Sequence, residues 1–246
     1  MKIIEHFIDQ QAAAEQKFME SFHREHRSFE NPLVTVNPYG IAPLTAVIAF
    51  FTEEKVSVSI TVKGIEASGD IAKSFPEAYE HVIPVLGLYP GTDNTVELRL
   101  SDGRRKEIMI TTGPLDSAVK LPESIDTTAA YMGGNVMFVI PAMGALPAAY
   151  DYRGDCRWYC TENITFAIKE LQNGRFSIGS PRLLEKPYYT TGLWEMDLIG
   201  KIYAEYRLPG GYHHDQFEME DGNILVLTEC FENGTVEDLC VLIDRA

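Results

Sequence analysis

The spacing of hydrophobic positions along this chain changes once, near residue 30. Before that point, large apolar side chains recur at helical steps: Ile4, Phe7, Ile8, Phe18 and Phe22. Such spacing places them on one face of a helix, and the alanines at 12–14 favour the same conformation. We predict a helix over residues 3–27, within an N-terminal segment of residues 1–30 that packs on the rest of the protein.

From Asn31 onward the pattern is that of short β-strands. Val56–Val62 alternates apolar and polar residues strictly, the period of a strand with one buried face. Turn-forming residues such as Pro90-Gly91 and Ser101-Asp-Gly103 separate the runs. Predicted strands cover residues 33–36, 46–51, 56–62, 95–100 and 107–111. We therefore predict a small immunoglobulin-like β-sandwich over residues 31–113, followed by a Pro-containing linker over residues 114–130.

The second half of the chain contains a repeat. Asp151-Tyr-Arg-Gly154 and Asp197-Leu-Ile-Gly200 are similar turns 46 residues apart, and Val241–Asp244 begins a third copy 47 residues later. The turn glycines Gly174 and Gly222 lie 48 residues apart. A period of about 40–50 residues with several strands per unit is typical of β-propeller blades. Predicted strands here cover residues 135–140, 149–152, 156–160, 164–171, 175–179, 193–197, 202–207, 216–220, 224–228 and 239–244.

A propeller is stable only as a closed ring of about 4–8 blades. Residues 131–246 hold fewer than two and a half repeats. We expect a mainly β protein: an N-terminal helix and a β-sandwich, then the first blades of a truncated propeller whose reading frame continues past Ala246. The alternative is two unrelated hairpins, because Asp-x-x-Gly turns are common in β proteins.

Composition and charge exclude several classes of function. The net charge of −15 and the lack of a basic run argue against a nucleic-acid partner, whose phosphates require clustered Lys and Arg. No apolar stretch has the length of a membrane span, and the first residues lack the pattern of a signal peptide, so we expect a cytoplasmic protein with no membrane partner.

The four cysteines match no zinc or redox motif, and free thiols are the simplest interpretation. Disulfides between Cys156 and Cys160, or between Cys230 and Cys240, are left open. The sequence predicts no cofactor.

The chemical candidate is the histidine pair in Leu208-Pro-Gly-Gly-Tyr-His-His-Asp215. Successive residues of a strand point to opposite faces, so His213 and Asp215 would share a side while His214 faces the other. We predict no metal site, since zinc would need ligands from elsewhere, and a metal hydrolase built on His213 and Asp215 is disfavoured for the same reason. One histidine could act as an acid or a base, and two half-exposed turn histidines are the alternative.

Three segments resemble bacterial aryl-sulfate sulfotransferases. They are Val36-Asn-Pro-Tyr-Gly-Ile-Ala-Pro-Leu-Thr-Ala-Val47, Asp151-Tyr-Arg-Gly-Asp-Cys-Arg-Trp-Tyr159, and Trp194-Glu-Met-Asp-Leu-Ile-Gly200 continuing through His214 to Asp221-Gly-Asn223. The resemblance covers nearly the whole chain after residue 30. It implies a six-bladed propeller and transfer of a sulfuryl group from an aryl sulfate donor to a phenol acceptor, without a nucleotide sulfate donor.

The resemblance also implies a ping-pong mechanism through a sulfated histidine. His214 matches a family histidine that precedes an acidic residue, so it is the expected catalytic contact to the sulfuryl group, and His213 has no such match. No position here corresponds to the family's nucleophilic histidine or its arginine, so we expect this chain alone to be inactive.

We expect further substrate contacts from residues near the histidine pair: His213, Tyr212, Trp194 and Tyr189. Each aromatic residue taken singly could instead pack against its neighbours. The oligomeric state is left open, with a homodimer considered for the full-length form. From a different class, the chain could be a non-catalytic binding module of sandwich and partial propeller, which would not need His214.

Overall fold

A computed structural model describes residues 7–141, 144–162, 164, 167–180, 190–230 and 237–245. The described chain is mainly β, with a long N-terminal helix, as predicted. The helices are α1 (Phe7–Glu25) and the short α2 (Ala129–Met132). The strands are β1 (Leu33–Val36), β2 (Thr45–Val62), β3 (Ile71–Leu86), β4 (Asp93–Leu100), β5 (Arg105–Thr111), β6 (Met137–Val139), β7 (Ala148–Tyr150), β8 (Cys156–Tyr159), β9 (Lys169–Glu170), β10 (Phe176–Gly179), β11 (Thr190–Met196), β12 (Ile202–Glu218), β13 (Ile224–Cys230) and β14 (Glu237–Ile243).

The first β region is one five-stranded antiparallel sheet built around β2. Strand order is β1-β2-β4-β5, and β3 also pairs with β2. Two of the predicted strands are the two halves of β2, joined through an irregular register between Phe51 and Val58. The predicted strands at 95–100 and 107–111 correspond to β4 and β5, each extended by two residues at its start.

Strand β3 was not predicted, and its composition explains why. It contains Pro76 and Pro84, which are rare in central strands because proline cannot donate a ladder hydrogen bond. Among the described strands β3 pairs only with β2, so proline is tolerated there. Its first half is mostly exposed, so it also lacks the apolar alternation that identifies a half-buried strand.

Helix α1 packs against both β regions. Phe22 is fully buried and stacks on Phe51 of β2, with ring centroids 4.4 Å apart. The buried Gln11 side chain donates to the carbonyl oxygen of Gly200 at 2.8 Å and accepts from the Ile202 amide at 2.8 Å. The helix lies within the predicted range of 3–27 but ends at Glu25, two residues before the predicted end, and residues 3–6 lie outside the described part. It connects the first sheet to the turn before β12.

A buried arginine joins the first sheet to the next strands. Arg157 of β8 is fully buried, and its Nε donates to the carbonyl oxygen of Gly87 at 2.8 Å. One guanidinium nitrogen lies 3.0 Å from a carboxylate oxygen of Asp151, and the guanidinium covers the Tyr89 ring at 4.0 Å. The core of the first sheet extends into β7 and β8, so the two regions share apolar packing as well.

The predicted repeat is a structural repeat. In the Asp151 turn, the Gly154 amide donates to the carbonyl oxygen of Asp151 at 2.9 Å. In the Asp197 turn, Gly200 makes the same bond at 3.1 Å. The glycine turns at 171–174 and 219–222 also share one hydrogen-bonding pattern. Equivalent turns thus recur at the spacing the sequence shows.

The described residues of the repeat region form two antiparallel sheets. One has three strands in the order β6-β7-β8, and the other has six in the order β14-β13-β12-β11-β10-β9. This arrangement is consistent with the first blades of a truncated propeller. Two details differ from prediction: residues 202–207 and 216–220 belong largely to the single strand β12, and residues 164–171 contribute only the two-residue β9 within the described part.

The structure also bears on the cysteines and on the length of the helices. All four cysteines are free thiols, with Cys156 and Cys160 buried. Burial raises the pKa of Cys156 to about 11 and that of Cys160 to about 12. Within the described part, neither helix has the length and apolar character needed to cross a bilayer.

Candidate functional site

The histidine pair lies where β12 departs from regular strand geometry, and two glycines begin the departure. Gly210 and Gly211 have φ angles of +73° and +84°. A Cβ atom on Gly210 would stand 1.6 Å from the carbonyl oxygen of Glu229 in β13. The Pro-Gly-Gly sequence is therefore required by backbone conformation and by close approach of two strands.

A bulge follows at residues 213–215. Tyr212 pairs with Thr228 and Gln216 pairs with Val226, so four steps along β12 face two steps along β13. Within the bulge, His214 has φ of +67°, which few residues other than glycine adopt. Bulges and left-handed residues concentrate near functional sites because they re-aim side chains, at an energetic cost that the surroundings must offset.

The bulge overturns the expected alternation of side chains. The rings of His213 and His214 lie side by side, with centroids 4.1 Å apart and planes tilted by 43°. The prediction that they face opposite sides of the sheet is wrong, because it assumed a regular strand from residue 213 onward. His214 is exposed, whereas the His213 side chain is only 14% exposed.

His213 and Asp215 point to different partners. His213 Nδ1 lies 2.8 Å from Asp238 Oδ1 and 3.5 Å from Glu229 Oε1. Asp215 Oδ1 instead lies 2.5 Å from Lys169 Nζ, and this hydrogen bond lowers the pKa of the Asp215 carboxyl. The structure therefore does not assemble the hydrolase pair of His213 and Asp215.

The aromatic candidates pack in the interior. Tyr212 is fully buried; its hydroxyl hydrogen-bonds Gln216 Oε1 and lies 3.1 Å from the carbonyl oxygen of His214. Trp194 is 3% exposed and stacks on Phe7 with ring centroids 5.9 Å apart. Among the described residues both rings are buried, which favours a packing role, and substrate contact by Tyr212 and Trp194 stays a prediction. Tyr189 lies outside the described residues.

Tyr212 and Gln216 hold the two ends of the bulge. Gln216 is buried, and its Nε2 donates to the carbonyl oxygen of Ser177 at 3.0 Å. The Lys169 ammonium donates to the carbonyl oxygen of Gln216 at 2.6 Å. These bonds anchor the bulge to β9 and β10, so His214 projects from a fixed support.

Sequence reasoning missed a buried charge network next to Trp194. Glu195 is 3% exposed and accepts hydrogen bonds from Arg175 at 2.9 Å, Asn173 at 2.9 Å and Arg245 at 2.9 Å. Burial acts to raise the pKa of Glu195, but the bonds from Arg175 and Asn173 and the charge of Arg245 outweigh it, so the pKa is lowered. In the sequence, this network could have been recognised from the position of Glu195 between two apolar residues of a predicted strand, Trp194 and Met196.

A groove of about 700 Å³ lies elsewhere, between α1, the first sheet and the turn at 197–203. Its walls are largely apolar, and Phe18 and Tyr39 are among the residues that line it. None of the predicted site residues in the described part contributes to it. The groove and the histidine pair are therefore separate features.

Two protein-family models match the chain in the two β regions described above. One, described as the arylsulfotransferase Ig-like domain, matches residues 33–116, and the other, described as arylsulfotransferase (ASST), matches residues 122–246. The chain belongs to the arylsulfotransferase family. The first match also identifies the β1–β5 sheet as an immunoglobulin-like domain, which confirms the predicted fold class.

Curated relatives agree with this assignment. The chain is 22% identical over 251 residues to the arylsulfate sulfotransferase AssT of Lelliottia amnigena, an alignment that covers 78% of this chain and 42% of that protein. The AssT of Escherichia coli O6:H1 gives the same identity and coverage. The chain thus spans about two-fifths of the length of these relatives. The second family match includes the His213–His214 bulge.

Proposed function

We propose that the protein transfers a sulfuryl group from a phenolic sulfate ester to a phenol acceptor, and that His214 contacts the sulfuryl group. The family assignment supports the reaction class. The observation that carries the role of His214 is its conformation: an exposed imidazole at φ of +67°, on a bulge anchored at both ends. Backbone strain of this kind costs about 1–3 kcal/mol and persists where the surroundings enforce it.

The proposed reaction has two displacements. A histidine nitrogen attacks the sulfur of the donor, an N–S bond forms, the S–O bond to the aryl oxygen breaks, and the phenol leaves after gaining a proton. The acceptor phenol then attacks sulfur, loses its proton and releases the histidine. Splitting one difficult displacement into two lowers each barrier. By the family resemblance, the nucleophile and an arginine lie in blades beyond the repeats of this chain.

His214 would act on charge that develops during both steps. An imidazole beside the sulfuryl oxygens donates a hydrogen bond to them or exchanges a proton with the aryl oxygen. The chain carries a net charge of −15, which repels an anionic ester at long range. A local hydrogen-bond donor such as the His214 imidazole would offset this repulsion at the sulfuryl group.

The test is the His214→Asn variant of the whole protein. Asparagine tolerates positive φ, so it removes the imidazole without adding backbone strain. We expect kcat with a chromogenic aryl sulfate to fall by about 10²–10⁴, the usual contribution of a positioned acid or base. The matched control is His23→Asn, because His23 is a surface histidine that hydrogen-bonds Glu80 at 3.0 Å.

The outcomes separate the two classes of function. A lower kcat with unchanged thermal unfolding supports the sulfuryl contact. Unchanged turnover removes His214 from the mechanism. Absence of any transfer activity in the whole wild-type protein would favour the non-catalytic binding module.

A further inference from the structure

The geometry points to a binding site for a first-row divalent cation of the Zn²⁺ or Mn²⁺ class at His213 Nδ1, Glu229 and Asp238. These three ligand atoms all lie within 4.8 Å of one another. The residues come from the β12 bulge and from the neighbouring strands β13 and β14. Imidazole and carboxylate ligands together suit borderline and hard divalent ions. The inference is independent of the proposed sulfuryl transfer.

The buried carboxylate of Glu229 is the observation that indicates a ligand. Its side chain is fully buried, and neither oxygen accepts a hydrogen bond from the described part of the chain. Burial of a carboxylate without hydrogen bonds is among the most costly arrangements in a protein, and such groups are normally paired or bound to metal. Glu229 Oε1 is directed at the cluster, 3.5 Å from His213 Nδ1.

The distances require little movement to accept an ion. Ligands at about 2.0–2.2 Å from a tetrahedral zinc lie about 3.3–3.6 Å from one another. The separation of 3.5 Å between His213 and Glu229 already falls in this range. The separation of 2.8 Å between His213 and Asp238 must open slightly, and Asp238 can move because its side chain is 66% exposed.

Charge and access fit the same assignment. Two carboxylates and a neutral imidazole carry a charge of about −2, which a divalent cation neutralises in the buried half of the site. Asp238 is exposed, so an ion can reach the three ligands from solvent on this side. Water molecules on the same side can supply the remaining ligands of the ion. A bound ion would link the β12 bulge to β13 and β14. His213 would then bind the metal ion and not the sulfuryl group.

The site is tested by titrating ZnCl₂ and MnCl₂ into chelator-treated protein, with calorimetry and thermal unfolding as readouts. We expect one saturable equivalent and a rise in Tm that chelator reverses. Asp238→Asn should weaken binding by more than about 100-fold, beyond the 10–100-fold typical of outer-shell partners. Asp215→Asn is the matched control, because Asp215 is on the same bulge but pairs with Lys169.

Glu229→Gln is the most informative variant, because it should keep or raise the Tm of the metal-free protein and yet abolish the rise in Tm that metal causes. The metal-free variant should melt at or above the temperature of the metal-free wild type, since a neutral amide replaces a buried charge. The same variant should lose the rise in Tm on adding metal. The proposal is overturned if the wild type binds no saturable equivalent, or if the Glu229, Asp238 and Asp215 variants respond to metal alike.

Discussion

Substitution of Gly210 by alanine should destabilise the repeat region far more than an ordinary glycine-to-alanine change. Gly210 has φ of +73°, and the added Cβ would lie 1.6 Å from the carbonyl oxygen of Glu229. The left-handed conformation costs a non-glycine residue about 1–2 kcal/mol. The overlap is with main chain, so β12 and β13 must separate, and overpacking of this kind costs about 1–3 kcal/mol more. We expect a loss of about 2–5 kcal/mol.

Gly222→Ala is the matched control. Gly222 has φ of +85°, and a Cβ there meets no atom within 4 Å. It therefore incurs the conformational cost of about 1–2 kcal/mol without the steric cost. The difference between the two variants isolates the close approach of β12 to β13 at the start of the bulge.

Urea unfolding followed by tryptophan fluorescence measures both variants. Trp158 and Trp194 are both buried in the repeat region, so their emission reports on this part of the protein. A lower midpoint with an unchanged slope indicates a change in stability alone. Equal losses in the two variants would refute the reasoning, because the contact with Glu229 would then contribute nothing.

Two more predictions concern buried groups. Glu195→Gln should cost about 1.5–3 kcal/mol at neutral pH, the usual contribution of hydrogen bonds to a charged group, because the partner Arg175 is 39% exposed and its charge is partly screened by solvent. Because the folded-state pKa of Glu195 is lowered, its stabilisation is present above the unfolded pKa near 4.5 and is lost as pH falls through the lower folded value. Urea midpoints measured across pH 3–7 should converge for variant and wild type at the acid end, and parallel curves would contradict this. Mass spectrometry after alkylation at pH 8 should find Cys240 modified in the native protein and Cys160 modified only after denaturation, since burial raises the pKa of Cys160 to about 12.

Much of the fold was predictable because it follows from local periodicity. The helical spacing before residue 30 and the strict alternation of Val56–Val62 each correspond to an observed element. The repeated Asp and Gly turns predicted equivalent structures about 46–48 residues apart, and their hydrogen bonds match. Strand β3 was not predicted, because prolines and exposed residues are tolerated in a strand that pairs with one neighbour but not in a central strand. The position of a strand in the sheet is set by the tertiary structure and cannot be read from the local sequence.

The candidate site was predictable only in part, for a related reason. The sequence indicated the histidine pair, and it offered a turn at these residues only as the alternative to a strand. His213 and His214 are the residues that the bulge presents. The alternation rule then failed, since it holds for regular strands and not across two extra residues. Aromatic residues such as Tyr212 were ambiguous because apolar rings serve equally in cores and in binding sites.

The sequence by itself determined the order of helix, immunoglobulin-like sheet and repeats, and it indicated the histidine pair. It did so because backbone propensity and side-chain period act between residues that are near in the chain. Only the tertiary structure decided that Glu229 and Asp238 meet His213, residues 16 and 25 positions away in the chain. Strand register and a bulge set that meeting, and both depend on how whole strands pack.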